Sequence, residues 1–197
     1  MIYIEDDFLP EKVVKQMDNY LVDFKEVDTG DKKFWVMDAL PAFVDYVTQK
    51  ISNIFKGIEI EEVFSFYRIA TDKIDTDWRI HCDSIINDKL PDRAAVIYLS
   101  DSELTEPHGT ALWEHHKHGD SLNWEDLSTA EFDRLLLEDA NDVSKFKLKS
   151  LIGYKKNRFV TYPCNYFHSK YPNYGWESGR KIFVIFYKIK NERKNFN

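Results

Sequence analysis

Three residues could together bind one metal ion. His81 and Asp83 are separated by a single residue, and His168 follows in a later part of the chain. Residues i and i+2 of a strand lie on one face, so His81 and Asp83 at the end of a strand would point in the same direction. Two neutral imidazoles and one carboxylate, which leave three coordination positions open, are the ligand set of non-haem iron(II) oxygenases. The residue types therefore indicate an iron site whose open positions take a co-substrate and dioxygen.

The same spacing occurs a second time, in a segment that is crowded with histidines. His118 and Asp120 also form a His-x-Asp pattern, and His115 and His116 precede them. No predicted strand leads into His118-Gly119-Asp120, and no cysteine lies near these histidines to support a zinc site. We therefore expect these histidines to be solvated on a charged loop, and we place the metal site at the first pattern, whose context supports it.

Further motifs accompany the first pattern. In chain order they are Tyr67, His81-Cys82-Asp83, Ala95-Val96-Ile97-Tyr98-Leu99-Ser100-Asp101, His108-Gly109-Thr110, Asn157-Arg158-Phe159-Val160-Thr161-Tyr162-Pro163, His168 and Gly179-Arg180. Over residues 60–190 this order resembles that of the iron(II)- and 2-oxoglutarate-dependent dioxygenases, especially the prolyl-4-hydroxylase-like branch. The chain departs from that pattern in lacking one glycine before Gly109, and in a slightly longer gap between His168 and Arg180.

The resemblance implies an enzyme that uses iron(II) and 2-oxoglutarate. His81, Asp83 and His168 would bind the iron, and the reaction would hydroxylate a C–H bond while 2-oxoglutarate is converted to succinate and carbon dioxide. The branch suggests a peptide or protein side chain, or an amino-acid-like molecule, as the substrate, and it allows ascorbate as an additional reductant. Because Asp83 stands where related halogenases have a small residue, the resemblance favours hydroxylation over halogenation.

The same resemblance implies a site for the co-substrate. Arg180 would pair with the distal carboxylate of 2-oxoglutarate, since a guanidinium presents two parallel donors to a carboxylate. Lys181 is the rival anchor, and because neighbouring residues of a strand face opposite sides, only one of the two can reach the site. Tyr98 and Tyr67 would add hydroxyl donors to the same carboxylate.

Two other interpretations fit these residues. The chain could be a non-catalytic jelly-roll binding module, whose stability would not depend on iron and 2-oxoglutarate together. It could also be a cupin-like metal enzyme that uses no 2-oxoglutarate, in which case Arg180→Ala would leave metal binding unchanged. The combination of three metal ligands with a basic residue downstream favours the 2-oxoglutarate-dependent dioxygenase.

The elements that must position these residues are mostly strands. Strands are predicted where β-branched and aromatic residues are frequent, namely at 2–8, 60–69, 93–99, 110–113, 154–156, 158–162 and 181–189. Two amphipathic helices are also predicted, one beginning at Pro10 and one over 41–55. Many short strands without βαβ alternation predict a mainly β fold with flanking N-terminal helices (α+β). The expected architecture is a double-stranded β-helix, of the jelly-roll or cupin-like type.

Residues 114–150 differ in composition from the strands around them. They are strongly charged, and Ser128 and Glu131 have the spacing of a capping box that begins a helix over 129–138. We interpret this segment as an insertion in a single dioxygenase domain of residues 1–197, in which 1–58 support a core formed by 59–190. Because loops at the mouth of a site carry specificity, we expect the insertion to act as a lid. Its acidity favours a basic or neutral substrate.

Composition narrows the expected partners and compartment. The chain has 197 residues and a formal net charge of −7, so no broad basic field favours nucleic acid as a partner. Its apolar runs are far shorter than the roughly 20 residues that span a bilayer, which predicts no membrane association. Its acidic start is unlike a signal peptide, and its two cysteines are too few for a disulfide framework. We expect a cytoplasmic protein whose partners are 2-oxoglutarate, dioxygen and a substrate.

Overall fold

A computed structural model of the chain describes residues 1–190 apart from 29, 31, 32, 76, 84, 87 and 124–126. The strands are β1 (Tyr3–Glu5), β2 (Lys25–Asp28), β3 (Lys33–Asp38), β4 (Glu59–Ala70), β5 (Arg93–Tyr98), β6 (Gly109–His115), β7 (Phe146–Gly153), β8 (Phe159–Pro163), β9 (His168–Tyr171) and β10 (Arg180–Lys190). The helices are α1 (Glu11–Tyr20), α2 (Pro41–Ile54) and α3 (Thr129–Leu137). None of the described helices is long and apolar enough to cross a membrane.

The strands form two antiparallel sheets with a buried layer between them. The large sheet has seven strands in the order β1-β8-β5-β10-β4-β3-β2, and the small sheet has three in the order β7-β6-β9. Leu112 of β6 belongs to the same buried apolar cluster as Val96 of β5 and Val184 of β10, so the inner faces of the two sheets pack against each other. The prediction of a mainly β, antiparallel fold with N-terminal helices is confirmed.

Helix α2 packs on the outer face of the large sheet. It begins with Pro41, whose fixed φ suits the first turn of a helix, and it buries Phe43 and Val47. The ring centroid of Phe43 lies 5.7 Å from that of Tyr67 on β4 and 5.0 Å from that of Phe183 on β10. Because this layer covers the outer face of β4 and β10, the cavity that holds the candidate site must lie on their inner face.

The predicted insertion is a connection within the small sheet. β6 continues to His115, and β7 begins at Phe146 and pairs with β6. Helix α3 is present as predicted, and the capping box between Ser128 and Glu131 is formed. The sequence prediction missed β7, whose residues are mostly exposed and whose apolar–polar alternation over Phe146-Lys147-Leu148-Lys149 is interrupted at Ser150.

The structure also differs from the sequence prediction at β2 and β3, at residues 154–156 and at His81. β2 and β3 were not predicted, because β2 is exposed throughout and the apolar run Phe34-Trp35-Val36-Met37 of β3 lacks the polar–apolar alternation that marks a half-buried strand. Residues 154–156 form no strand, and His81 occupies an isolated bridge beyond the end of β4 rather than a continuous strand. That the whole chain forms one domain remains a prediction.

Hydrogen bonds from the side chain of Asn157, which precedes β8 of the large sheet, hold the segment before α1 in place. Its side-chain amide accepts a hydrogen bond from Leu9 N at 2.7 Å and donates one to Leu9 O at 2.8 Å. Its φ of 65° lies in the left-handed region that glycine also adopts, so Asn157→Gly keeps the backbone and removes both hydrogen bonds. At about 1 kcal/mol per bond, we expect the free energy of unfolding in urea to fall by about 2 kcal/mol.

Asp88 offers a matched control for this substitution. It is exposed and has a φ of 59°, so Asp88→Gly introduces the same backbone freedom without removing a buried hydrogen bond. We expect it to change the free energy of unfolding by less than about 1 kcal/mol. Equal losses for the two variants would show that the Asn157 amide contributes nothing beyond its backbone conformation.

Candidate metal centre and co-substrate site

Paired backbone segments bring the predicted metal ligands together. His81 N donates to His168 O at 3.0 Å and His168 N donates to His81 O at 2.8 Å, so the two histidines oppose each other directly and their side chains share a face. Nε2 of His81 and Nε2 of His168 lie 4.0 and 3.7 Å from Oδ1 of Asp83. One ligand atom from each of the three residues lies within 4.8 Å of the other two. This spacing suits a single ion bound by all three.

Both imidazoles are oriented as metal ligands require. His81 Nδ1 lies 2.9 Å from Arg79 O, and His168 Nδ1 lies 2.9 Å from Tyr166 O. Because a carbonyl oxygen only accepts hydrogen bonds, each Nδ1 carries the proton and each Nε2 keeps a free lone pair. Burial lowers the pKa of His81 to about 3, and the nearby His168 adds to the shift, so His81 is neutral at pH 7. Metal-binding histidines are commonly held through the second nitrogen in this way.

Asp83 lacks the partner that a buried carboxylate needs. Its Oδ2 atom is buried and has no hydrogen-bond partner among the described residues, and burial raises the pKa of its carboxyl group above the ordinary value. A buried charge without a counter-ion is costly. A divalent cation between Asp83 and the two Nε2 atoms would remove that cost, and two imidazoles with one carboxylate are suitable ligands for iron(II). The residues present therefore fit iron(II).

Arg180 supplies a buried cation to the same cavity. It is 6% exposed, and its Nε atom is buried without a hydrogen-bond partner. The guanidinium lies between two rings, with Cζ 5.5 Å from the centroid of Tyr98 and 5.7 Å from that of Trp176. Arg180 and the three metal-binding residues all line one inner cavity of about 90 Å³. A carboxylate in this cavity would give the guanidinium the anionic partner that it lacks.

Hydroxyl groups lie beside this cation. Tyr98 is fully buried, and its hydroxyl group is 2.7 Å from Thr110 Oγ1. Thr110 lines the inner cavity, whereas Tyr98 lies behind Thr110 and against Arg180. The structure thus brings Tyr98 to the site as a neighbour of both groups. Thr110 belongs to one of the sequence motifs described above, but no role was predicted for it.

Because neighbouring residues of a strand face opposite sides, two other candidate residues lie outside the cavity. Lys181 extends to the outer face of β10, where its Nζ donates to Leu21 O at 2.8 Å, so Arg180 is the residue that reaches the site. Tyr67 is fully buried on the outer face of β4, with its ring centroid 5.3 Å from that of Phe183. The expectation that Tyr67 binds the co-substrate is therefore wrong, because the even-numbered residues of β4 are the ones that line the cavity.

Sequence reasoning also missed three cations of the cavity, namely Arg68, Arg79 and Lys170. Arg68 of β4 lines it and donates through Nε and a terminal nitrogen to both carboxylate oxygens of Asp75. Lys170 of β9 lines it two positions after His168. Burial lowers the pKa of Lys170 to about 8, and the positive charges of Arg180 and Arg68 add to the shift. Residues i and i+2 of a strand lie on the same face, so the inward position of His168 could have identified Lys170 as a second residue of the cavity.

The histidine-rich segment is not uniformly solvated. His115 is 3% exposed, and its Nε2 lies 3.2 Å from Asp139 Oδ2, although His116 is exposed as expected. The ring of His115 also contacts those of Phe146 and Phe167, with centroids 4.8 and 5.7 Å away. The expectation fails at His115 because β6 runs further than predicted and carries this residue into a buried layer.

Comparisons with known proteins show a structural likeness without a close relative in sequence. No protein-family model and no curated protein matches the chain. HygX from Streptomyces hygroscopicus, solved with nickel and 2-oxoglutarate bound, matches at a TM-score of 0.62 and 13% identity, over 96% of this chain and 83% of its own. SnoK, a non-haem alpha-ketoglutarate-dependent carbocyclase from nogalamycin biosynthesis, matches at 0.62 and 15%, over 94% and 78% of the two chains.

A third match comes from another bacterium. An oxidoreductase of the 2OG-Fe(II) oxygenase family from Burkholderia pseudomallei has a TM-score of 0.57 and 11% identity, over 96% of this chain and 86% of its own. These matches span nearly the whole chain and share one fold. The chain therefore has the fold of the iron(II) and 2-oxoglutarate oxygenases.

Proposed function

We propose that the protein is an iron(II)- and 2-oxoglutarate-dependent oxygenase that hydroxylates a C–H bond of its substrate. The observation that carries this proposal is a single cavity lined by a His-Asp-His cluster and by a buried guanidinium that has no carboxylate partner among the described residues. The cluster fits a divalent metal, and the guanidinium fits the distal carboxylate of 2-oxoglutarate. A cupin-like enzyme without 2-oxoglutarate has no need of Arg180, and a binding module has no need of the cluster. On this proposal the two sheets are the double-stranded β-helix.

The metal-binding residues have a structural and an electrostatic task. His81, Asp83 and His168 would hold iron(II), and the backbone carbonyls of Arg79 and Tyr166 keep both Nε2 lone pairs directed at it. Iron(II) with 2-oxoglutarate supplies the activation of dioxygen, coupled to the release of succinate and carbon dioxide. The Asp83 carboxylate lowers the net charge of the centre. Because three protein ligands leave three positions open, co-substrate and dioxygen can both be accommodated.

The large sheet orients the co-substrate. Arg180 would hold the distal carboxylate, and the hydroxyl groups of Thr110 and Tyr98 are available as further donors. Ile182 and Val184 follow Arg180 on the inner face of β10 and line the same cavity. Their apolar side chains exclude water from the space beside the guanidinium, which strengthens its interaction with a carboxylate.

The substrate predicted from the sequence, a peptide or protein side chain or an amino-acid-like molecule, remains a prediction. HygX has also been solved with hygromycin B bound, and SnoK is a carbocyclase. The shared fold therefore accommodates compounds other than peptides, and the substrate has to be inferred from this chain's own residues.

Thermal melting with added ligands distinguishes the proposed function from its two alternatives. We expect nickel(II), a redox-inactive substitute for iron(II), to raise the melting temperature, and 2-oxoglutarate to raise it further only when the metal is present. A response to the metal alone would favour the cupin-like enzyme. No response to either ligand would favour the binding module, and both outcomes would contradict the proposal.

Tyr98→Phe tests the hydroxyl group beside the anchor. The substitution keeps the buried ring and removes one hydroxyl donor, so the loss is that of a single hydrogen bond of about 1–1.5 kcal/mol. We expect the dissociation constant for 2-oxoglutarate, measured by titration of the metal-loaded protein, to rise about 5- to 10-fold. Tyr67→Phe, on the outer face of the same sheet, is the control and should leave that constant unchanged. Equal effects of the two variants would show that Tyr98 has no specific role.

A further inference from the structure

Lys170 is a cation of the inner cavity that neither the metal nor 2-oxoglutarate requires. It follows the ligand His168 by two positions on β9, so the two side chains share a face, and both line the cavity. Its Nζ donates to the backbone carbonyl of Asp75 at 3.4 Å. That oxygen belongs to a neutral group and does not compensate the charge of the ammonium group.

The other charges around the cavity have partners once the cofactors are bound. Arg68 is paired with Asp75, and Arg79 Nε lies 3.2 Å from Asp77 Oδ1. On the proposed function, the remaining groups are Asp83 at the metal and Arg180 at the co-substrate. Among the described residues, Arg68, Arg79 and Arg180 balance Asp75, Asp77 and Asp83, and a divalent metal balances the dianion 2-oxoglutarate. One positive charge of the described lining is left over, and it belongs to Lys170. This partly buried charge calls for an anion.

A second, larger cleft adjoins the inner cavity on the side of Asp77 and Arg79. It has a volume of about 690 Å³, and Asp77 and Arg79 line both spaces. Asp75, whose carbonyl oxygen contacts Lys170, lines it too. The volume is within the range of small-molecule sites, about 300–1,000 Å³. The inner cavity, at about 90 Å³, has little space beyond that for the metal and its co-substrate.

Aromatic side chains and the predicted insertion form part of the wall of this cleft. Trp35 of β3 and Trp78 contribute indole rings, while Leu137 of α3 and Asn141 come from the connection between β6 and β7. The rest of the lining is mostly charged, with the acidic residues Glu26, Asp28, Asp75 and Asp77 and the basic residues Lys33, Lys73 and Arg79, so the cleft suits a polar organic molecule. The connection between β6 and β7 therefore lies where specificity for a substrate would be encoded.

We propose that this cleft binds the primary substrate and that the substrate is an organic anion whose carboxylate or similar oxyanion pairs with Lys170. The inference rests on the proposed function, because the charge balance assumes a bound metal and 2-oxoglutarate. It reverses the expectation of a basic or neutral substrate, since the two residues of the connection that line the cleft, Leu137 and Asn141, are uncharged, and the unbalanced charge beside the cleft is that of Lys170.

A rival role for Lys170 is to bind 2-oxoglutarate together with Arg180. Thr110, which lies beside the proposed carboxylate position, is the partner of Lys170 in the pairing of β6 with β9. The contact that Lys170 Nζ makes, however, is with Asp75 at the border of the outer cleft. This placement favours the substrate. Replacing Lys170 should weaken the binding of 2-oxoglutarate only if the rival role is correct.

The experiment compares wild type, Lys170→Met and Lys170→Arg, each loaded anaerobically with iron(II). The first measurement is the dissociation constant for 2-oxoglutarate, which we expect to differ less than threefold among the three proteins. The second is the binding of methanesulfonate, a weakly coordinating anion, to the complex with iron(II) and 2-oxoglutarate, monitored by tryptophan fluorescence. Dimethyl sulfone is its neutral counterpart of similar shape, and chloride keeps the ionic strength constant.

We expect wild type and Lys170→Arg to bind methanesulfonate saturably and in preference to dimethyl sulfone, and Lys170→Met to bind it at least tenfold more weakly. Equal responses to the anion and the neutral compound in wild type would overturn the inference. A tenfold weaker affinity of Lys170→Met for 2-oxoglutarate would assign Lys170 to the co-substrate site and overturn it as well. If wild type forms no complex with iron(II) and 2-oxoglutarate, the proposed function itself fails, which the first measurement reveals separately.

Discussion

Replacing His168 by alanine is expected to remove the effect of metal on the stability of the protein. In wild type, metal at a hundred times its dissociation constant stabilises the folded state by about 2.7 kcal/mol, which corresponds to a rise of roughly 5–10 °C in melting temperature for a chain of this size. His168 provides one of only three ligand atoms in the described cluster. Losing it should weaken metal binding by at least about 100-fold, beyond the 10- to 100-fold typical of changes to groups that only orient a ligand.

His116 provides the matched control for this substitution. It is exposed and lies outside the cluster formed by His81, Asp83 and His168. His116→Ala should therefore keep the full metal-dependent rise in melting temperature, measured with nickel(II) by differential scanning calorimetry. A rise of equal size in His168→Ala would mean that the stabilising metal binds elsewhere on the protein.

Arg180→Met is expected to have the largest effect on 2-oxoglutarate. Removing one partner of a buried, hydrogen-bonded charge pair costs about 2–5 kcal/mol, so the dissociation constant for 2-oxoglutarate should rise by at least about 30-fold. The apo protein should melt at the same or a higher temperature, because the substitution replaces a buried cation that has an unpartnered Nε by an apolar side chain of similar length. A binding constant and a melting curve, taken on the same sample, separate a lost ligand contact from a damaged fold.

Lys181→Met is the control for Arg180→Met. The two residues are neighbours on β10, but Lys181 donates to Leu21 O on the outer face of the sheet. We expect this variant to bind 2-oxoglutarate within twofold of wild type. If Lys181→Met lost affinity and Arg180→Met did not, the assignment of the inner face of β10 would be contradicted.

The sequence was sufficient to propose the candidate metal ligands because a local rule places two of them together. The one-residue spacing of His81 and Asp83 places their side chains on one face of an extended segment, and this needs no knowledge of the rest of the fold. His168 was assigned through a resemblance, and its position opposite His81 depends on backbone pairing between segments that are far apart in the chain. Pairing between distant segments can hardly be recognised from the amino-acid composition of either segment alone.

The errors at Tyr67 and Arg68 have one physical cause, which is that the face of a strand depends on its register in a sheet. Tyr67 and Arg68 are adjacent, and a strand that is buried on both sides gives no apolar alternation to tell the inner residue from the outer one. Arg180 and Lys181 stayed unresolved for the same reason. At His115 the error was one of length, because the prediction ended the strand before this residue.

The anaerobic absorption spectrum of the protein with iron(II), recorded before and after 2-oxoglutarate is added, tests the central claim most directly. Chelation of iron(II) by a 2-oxo acid produces a weak charge-transfer band in the visible region. We predict that this band appears in wild type, saturates with 2-oxoglutarate, and is absent from His168→Ala. If iron(II) binds to wild type and saturating 2-oxoglutarate produces no band, the assignment of this cavity to an iron(II)- and 2-oxoglutarate-dependent oxygenase is contradicted.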